Sequence, residues 1–383
     1  MPHVGRTDGL VHSPIGAAFA LSAAHTPTRS LLNLSQAAPS VAPPQVVIDR
    51  VAAVAAEPDG ARYVPQEGLP TLRAALAEEL TAIYPGDINT DDVLITAGCN
   101  QAFCVVASAL TSPGDNMIVA LPYYFNHDMW LQVEGVERRY VGAADRPRPT
   151  VDEIVAQIDE RTRALLLVTP GNPSGTILTP DEIASYDEVC RANEIALILD
   201  ETYRSYRGTE EPAHDRYAMH DWRDGLITLH SFSKDLAIPG YRVGAAVGDP
   251  GFLAEAMKLV DCVAICAPRI GQEAALEGLR HAGDWRNEQA ALIVARQRHF
   301  EAAMNDRPGG FELVSSGAYF GWVRHPFEDQ DTLDVVASLL RERDILVIPG
   351  TAFTPEDERF LRFSFANLDE SEIDELARRL GEG

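Results

Sequence analysis

Leu226-Ile227-Thr228-Leu229-His230-Ser231-Phe232-Ser233-Lys234-Asp235-Leu236-Ala237-Ile238-Pro239-Gly240-Tyr241-Arg242-Val243-Gly244 runs from an apolar segment into a polar loop. The first five residues read as a short buried strand. Beyond them, Lys234 follows two serines and precedes Arg242 by eight positions. The whole chain of 383 residues holds only two lysines, Lys234 and Lys258, among 32 basic residues. Arginine has taken nearly every other basic position. It cannot replace lysine where an amine must lose its proton and attack a carbonyl.

A solvated surface residue is the competing reading for either lysine. Lys258 follows Phe252-Leu253-Ala254-Glu255-Ala256-Met257, a helical stretch without serine or glycine, and reads as the surface lysine. Lys234, at the end of a strand and among serines, reads as the chemical one. An amine on a flexible stem in this setting points to an aldehyde cofactor held as an imine, namely pyridoxal phosphate.

Working outward, short apolar runs recur at Val93–Thr96, Met117–Leu121, Arg139–Val141, Ala164–Thr169, Ile195–Leu199 and Leu226–His230. Helix-length stretches lie between them, among them Gln101–Leu110, Val151–Ile158 and Pro180–Ala192. This alternation predicts an α/β fold, a mainly parallel sheet with helices on both faces. After about Gly271 the pattern turns helical, at Gln272–His281 and Trp285–Met304, and then to a separate α+β piece from Phe311. The expected organisation is an N-terminal arm that joins a small domain (1–45), a large domain (46–275) and a C-terminal small domain (276–383). The arm holds a short apolar helix near Ile15–Ala24, and a helix follows at Gln45–Ala56. Ligands of open α/β sheets bind beyond the carboxyl ends of the strands. Five polar segments fall there: Gly98-Cys99-Asn100, Pro122-Tyr123-Tyr124, Asn172-Pro173-Ser174-Gly175, Asp200-Glu201-Thr202-Tyr203 and Ser231-Phe232-Ser233-Lys234.

The formal net charge is −25, a sign that repels nucleic acid and anionic membrane, so neither is expected as a partner. Five cysteines, at 99, 104, 190, 262 and 266, form no CxxC pair and no metal spacing, which suits reduced thiols in a cytoplasm. Met1 to Arg6 carry no leader pattern, and no apolar run approaches the roughly 20 residues needed to span a bilayer.

Asn172-Pro173-Ser174-Gly175 and Ser231-x-Ser233-Lys234-x7-Arg242-x-Gly244, with Asp200-x2-Tyr203 between them, resemble the class I/II aminotransferases of the aspartate-aminotransferase fold (PLP fold type I). The resemblance extends from Leu34 to Arg362. It implies that Lys234 anchors pyridoxal 5′-phosphate and that Asp200 faces the pyridine nitrogen, so that the ring can accept a carbanion's electrons. It implies that Asn172 and Tyr203 bond the ring's phenolate oxygen and that Tyr124 stacks on the ring. The phosphate falls to Gly98, Cys99 and Asn100 at a helix start, to Ser231 and to Arg242. Tyr63 matches a tyrosine that reaches the neighbouring subunit's phosphate, which implies a homodimer with shared sites. Arg362 matches the arginine that clamps the substrate's α-carboxylate. In place of the Gln-Gly-x-Pro of many relatives stands Gln36-Ala37-Ala38-Pro39, with Ala37 offering backbone contact to substrate.

The implied activity is exchange of an amino group between an α-amino acid and a 2-oxo acid. Another PLP reaction on the same scaffold (lyase, cyclase, decarboxylase or oxidase) is the alternative, because residues that hold the cofactor do not choose the outcome. A nicotinamide dehydrogenase would need a GxGxxG turn after an early strand, which is absent. No second arginine stands out as a side-chain clamp, though Arg204, Arg207 and Arg269 are candidates. Asn126 and His127 follow Tyr124 and are expected to face the substrate's far end. The expected substrate is therefore neutral, with a polar or aromatic side chain.

Overall fold

The computed structural model describes residues 5–10, 12–357 and 359–382. Met1 to Val4, at the end read above for a leader, lie outside them. Seven strands form the central sheet: β1 Val93–Thr96, β2 Asn116–Ala120, β3 Glu137–Val141, β4 Thr162–Val168, β5 Ala196–Asp200, β6 Leu226–Ser231 and β7 Gly244–Val247. Their order is β1-β7-β6-β5-β4-β2-β3. Only β7 runs against its neighbours.

Burial on both faces explains the near-continuous apolar runs. Leu165, Leu167, Leu197 and Leu199 point to one side, where they meet Leu72, Leu76, Ile183 and Tyr186 of helices Pro70–Ile83 and Pro180–Ala192. Leu166 and Ile198, one position off, point to the other. There they pack with Ala102, Phe103, Leu253 and Val260 of helices Cys99–Leu110 and Pro250–Ala264. The strand period of two places alternate residues on opposite faces.

The sequence reading found six of these strands and missed β7. Its residues are Gly-Ala-Ala-Val, without the bulky β-branched run that marks a strand. A glycine is required at its first position because the strand starts against the loop after β1. A Cβ on Gly244 would lie 2.5 Å from the Cys99 amide nitrogen.

A second sheet, β10-β11-β9-β8, is antiparallel throughout and is built from β8 Glu312–Gly317, β9 Phe320–Arg324, β10 Ile348–Pro349 and β11 Phe360–Ser364. Its apolar core includes Phe300, Phe311, Phe320, Leu361, Phe363 and Leu376. The N-terminal segment joins it through Leu32 and Leu34, and Leu32–Asn33 pairs in parallel with Ile345–Leu346.

One buried carboxylate fastens that segment. Asp344 accepts hydrogen bonds from the Thr28 hydroxyl (2.8 Å) and the Thr28 and Arg29 amides (3.3 and 3.0 Å), and it lies 2.6 Å from His25 Nε2. Burial alone would push its pKa up, but these donors bring it down to about 2. Asp344→Ala is expected to speed amide exchange at Thr28 and Arg29 selectively, read by hydrogen–deuterium exchange. Unchanged protection there would show that the strand pairing alone holds the segment.

Candidate active site

The carboxyl ends of β1, β2, β4, β5 and β6 meet at one cavity of about 260 Å³. Its walls include Cys99, Asn100, Tyr124, Asn172, Asp200, Tyr203, Ser231, Lys234, Arg242 and Arg362, with Gln36 and Ala37 from the N-terminal segment. The Lys234 Nζ donates to the Ala37 carbonyl. Burial first, then the positive charges of Arg362 and Arg242, bring the Lys234 amine down to about 8.

Asp200 is the last residue of β5 and is buried. Burial pushes its pKa up, but the balance falls below the ordinary carboxylate value because His127 bonds it and the Thr202 amide donates to it at 2.9 Å. His127 Nε2 stands 3.3 Å from Asp200 Oδ2. The expectation that His127 faces the substrate's far end is therefore corrected. Helix Phe125–Glu134 starts directly after Tyr124. Each residue turns about 100° around a helix, so Phe125 faces the cavity while His127, three positions after Tyr124, turns inward. Asn126 lies on a separate side cavity with Phe103 and Trp130. The spacing of Tyr124 and His127 was the signal that could have paired His127 with Asp200.

Arg362 sits in the middle of the second sheet, opposite Trp322 and Ile348. It is 1% exposed. Its guanidinium donates to Asn172 Oδ1 (3.1 Å) and to the Ser35 carbonyl, and it lies 5.1 Å from each of the Phe320 and Phe353 rings. Its Nε has no partner, and no carboxylate among the described residues is within ion-pairing distance. Burial lowers its pKa to about 10. A buried cation without a counter-charge is costly unless an anionic ligand completes the site.

At the other end of the cavity, Gly98 takes φ +88° and caps helix Cys99–Leu110, whose first amides have no intrahelical acceptor. A Cβ on Gly98 would lie 2.3 Å from Arg242 Nη2. Helix start and guanidinium thus converge where any side chain on that residue would intrude. Ser231, the last residue of β6, caps the short turn Phe232–Asp235, which carries Lys234. Tyr124 bonds Asn100 at 3.4 Å, and burial pushes its phenol up to about 12. Tyr203 is buried against Tyr319 and Phe320, with its phenol also held well up by burial.

Gly175 has φ +70°, and a Cβ there would lie 2.2 Å from the Gly317 nitrogen of β8. The glycine of Asn172-Pro173-Ser174-Gly175 is thus set by contact with the second sheet. Of the residues expected at the site, Tyr63 stays away from this cavity, 76% exposed, Asn126 and His127 lie off it, and Gly98 stands behind its wall against Arg242. Ile15, Phe125, Val168 and Pro239 line it without having been expected.

Arg204 pairs with Glu79, Arg207 with the Glu211 carbonyl, and Arg269 with Glu57 and Glu273. None of the three lines the cavity.

The sequence profile of the family "Aminotransferase class I and II" matches residues 29–380. The chain belongs to this family. Class I and II aminotransferases depend on pyridoxal phosphate, and this chain is a PLP-dependent aminotransferase. It is 31% identical over 364 residues to an aromatic aminotransferase of Arabidopsis thaliana, covering 92% of this chain and 89% of that one. It is 30% identical to a valine–pyruvate aminotransferase of Mycobacterium tuberculosis, covering 92% and 90%. In fold it matches the aspartate aminotransferase of Thermus thermophilus with a TM-score of 0.90 at 22% identity, over 100% of this chain and 99% of that one.

The residues of this aminotransferase fit the cofactor. A glycine cradle beside an arginine suits a phosphate, a carboxylate held ionised suits a protonated ring nitrogen, and a lysine of depressed pKa suits the aldehyde. Lys258 is exposed and paired with Glu255 at 2.6 Å. Among the described residues no helix is long and apolar enough to cross a membrane.

Proposed function

We propose that this enzyme moves amino groups between a 2-oxo acid and an α-amino acid with an uncharged, largely apolar side chain. The observation that carries the reading is Arg362, a buried cation without a carboxylate partner among the described residues, in the cavity that also holds Lys234. Pyridoxal phosphate supplies an aldehyde for the substrate's amine and a ring that accepts electrons when the α-proton leaves.

The protein's own residues do the rest. Arg362, held by Asn172 and Ser35, grips the α-carboxylate and so orients the Cα–H bond. Lys234, with its amine at about 8, takes the α-proton as base and returns it as acid. Asp200, kept ionised by His127 and Thr202, holds the proton on the ring nitrogen. Asn172 and Tyr203 donate to the ring oxygen. Gly98, Cys99, Asn100, Ser231 and Arg242 bind the phosphate, and Ala37 bounds the substrate from the arm.

The side-chain reading rests on Ile15, Phe125 and Pro239 in the wall and on the pairing of Arg204, Arg207 and Arg269 away from the cavity. A second carboxylate entering this wall would lose its hydration without a counter-charge, a cost of several kcal/mol. Donor screening over all amino acids is expected to rank apolar and aromatic donors first. Aspartate with the highest kcat/KM would overturn this.

Arg362→Leu is expected to lower kcat/KM for every α-amino donor by roughly 30-fold or more, because the lost charge pair is worth about 2 kcal/mol or more. Steady-state kinetics check it, and a change under threefold would remove Arg362 from the carboxylate.

The assembly proposed is a cytoplasmic homodimer in which the exposed Tyr63 enters the partner's phosphate site. The proposed division is an arm (1–45), a large domain (46–275) and a small domain (276–383). The separate apolar core of the second sheet supports it.

A further inference from the structure

We infer that Asp235 is a positioning residue for the reaction: a buried chain of alternating charges that begins at Asp235 fixes the Lys234 turn against the loop following Asp200. The inference rests on the role proposed for Lys234.

The turn Phe232–Asp235 is four residues long. A single helical turn of this kind does not hold itself in place. Its last residue, Asp235, is 5% exposed and accepts a hydrogen bond from the Ser205 hydroxyl at 2.8 Å. Ser205 lies in the turn Arg204–Tyr206, immediately after Tyr203. The two cofactor-facing segments are therefore tied directly to each other.

Behind this bond the chain continues. Arg286 Nη2 lies 3.5 Å from Asp235 Oδ2. The same guanidinium grips Glu79 with two bonds, of 2.6 and 2.9 Å. Arg204 closes onto the same Glu79 carboxylate. The sequence Asp235, Arg286, Glu79, Arg204 thus alternates in sign and ends in the turn Arg204–Tyr206, whose Ser205 bonds Asp235. It joins four elements: the lysine turn, the Arg204 turn, helix Pro70–Ile83 and helix Gly283–Met304. All four side chains are largely buried.

Such a network is poor value as stability alone, because removing four charges from water offsets most of their mutual attraction. What it supplies is geometry. Planar guanidinium groups with fixed donors leave little freedom in the distances they set. Lys234 and Asp200 act on the same bound ring, and both sit within five residues of the network. A displacement of about 1 Å between such groups costs up to roughly 100-fold in rate.

The test uses the holoenzyme of Asp235→Asn, Asp235→Glu and Ser205→Ala. Asp235→Asn keeps the shape and removes the charge. It is expected to lower kcat by roughly 10- to 100-fold, with the KM for the amino donor within about threefold of wild type. The pH midpoint of the bound cofactor's visible absorbance is expected to move, since it reports the lysine's surroundings. Asp235→Glu should recover part of both, and Ser205→Ala should move both in the same direction by less. A purely structural ion pair would lower the melting temperature of Asp235→Asn and leave kcat and the absorbance midpoint at wild-type values. That outcome overturns the inference. If Asp235→Asn does not fold, Ser205→Ala decides by the same two readouts. Borohydride reduction and peptide mapping separate the two levels. A cofactor adduct on Lys234 with silent variants removes only the network, whereas an adduct elsewhere removes the site itself.

Discussion

Lys234→Ala will abolish turnover, with a loss of roughly 10⁴-fold or more. Nothing nearby can replace the amine. The only other lysine, Lys258, is exposed on helix Pro250–Ala264 and paired with Glu255. The arginines of the cavity, Arg242 and Arg362, do not release a proton in the working range. Borohydride reduction of the wild-type protein is expected to leave the cofactor on the Lys234 peptide and to leave Lys258 unmodified. A small primary amine added to Lys234→Ala should restore part of the rate by supplying a base of the missing kind. The pH profile carries a sign. The free amine is protonated below about 8 and neutral above it. A step that needs Lys234 as a base therefore weakens as pH falls through that value and levels off above it. An adduct mapped to Lys258, or a variant within tenfold of wild type, would end the assignment.

Asp200→Asn will keep the cofactor bound and lower kcat by on the order of 10³-fold. Asparagine preserves the shape of the side chain and its bond from the Thr202 amide. It removes the negative charge that His127 and Thr202 maintain against the cost of burial. Without that charge the ring nitrogen loses its proton and the ring becomes a poor acceptor of electrons. The KM for amino donors should change little, because Arg362 and Asn172 are untouched. Pre-steady-state kinetics with one amino donor would check this, and half-reaction rates near wild type would remove Asp200 from the ring nitrogen.

Most of the parallel sheet was readable because its strands are apolar on both faces and end in polar, glycine-rich turns. Leu226–His230, Ala164–Thr169 and Ile195–Leu199 needed no more than that pattern, to within one or two residues. Strand β7 was not readable, since Gly-Ala-Ala-Val carries no strand signal and its first residue, Gly244, is set by a close approach to the Cys99 backbone. The lysine's role was legible for a compositional reason, an amine preserved in a chain that otherwise uses arginine.

Other features belong to the tertiary structure. Which side of a helix faces the cavity depends on where the helix begins, so Phe125 and His127 exchanged the roles expected of polar and apolar residues. Ile15 reaches the site from more than 200 positions away from Lys234, carried by an N-terminal segment that Asp344 fastens. Whether an arginine faces substrate or pairs elsewhere depends on where acidic partners fall. Arg204 finds Glu79, and Arg362 finds none among the described residues. The sequence by itself determined the chemistry available, through residue types that no others can replace: Lys234 for an amine, Asp200 for a buried charge, Gly98 for a backbone open to an anion. Only the tertiary structure decided which of the remaining charges are spent on each other and which are left for a ligand, because that depends on distances between segments that no local pattern encodes.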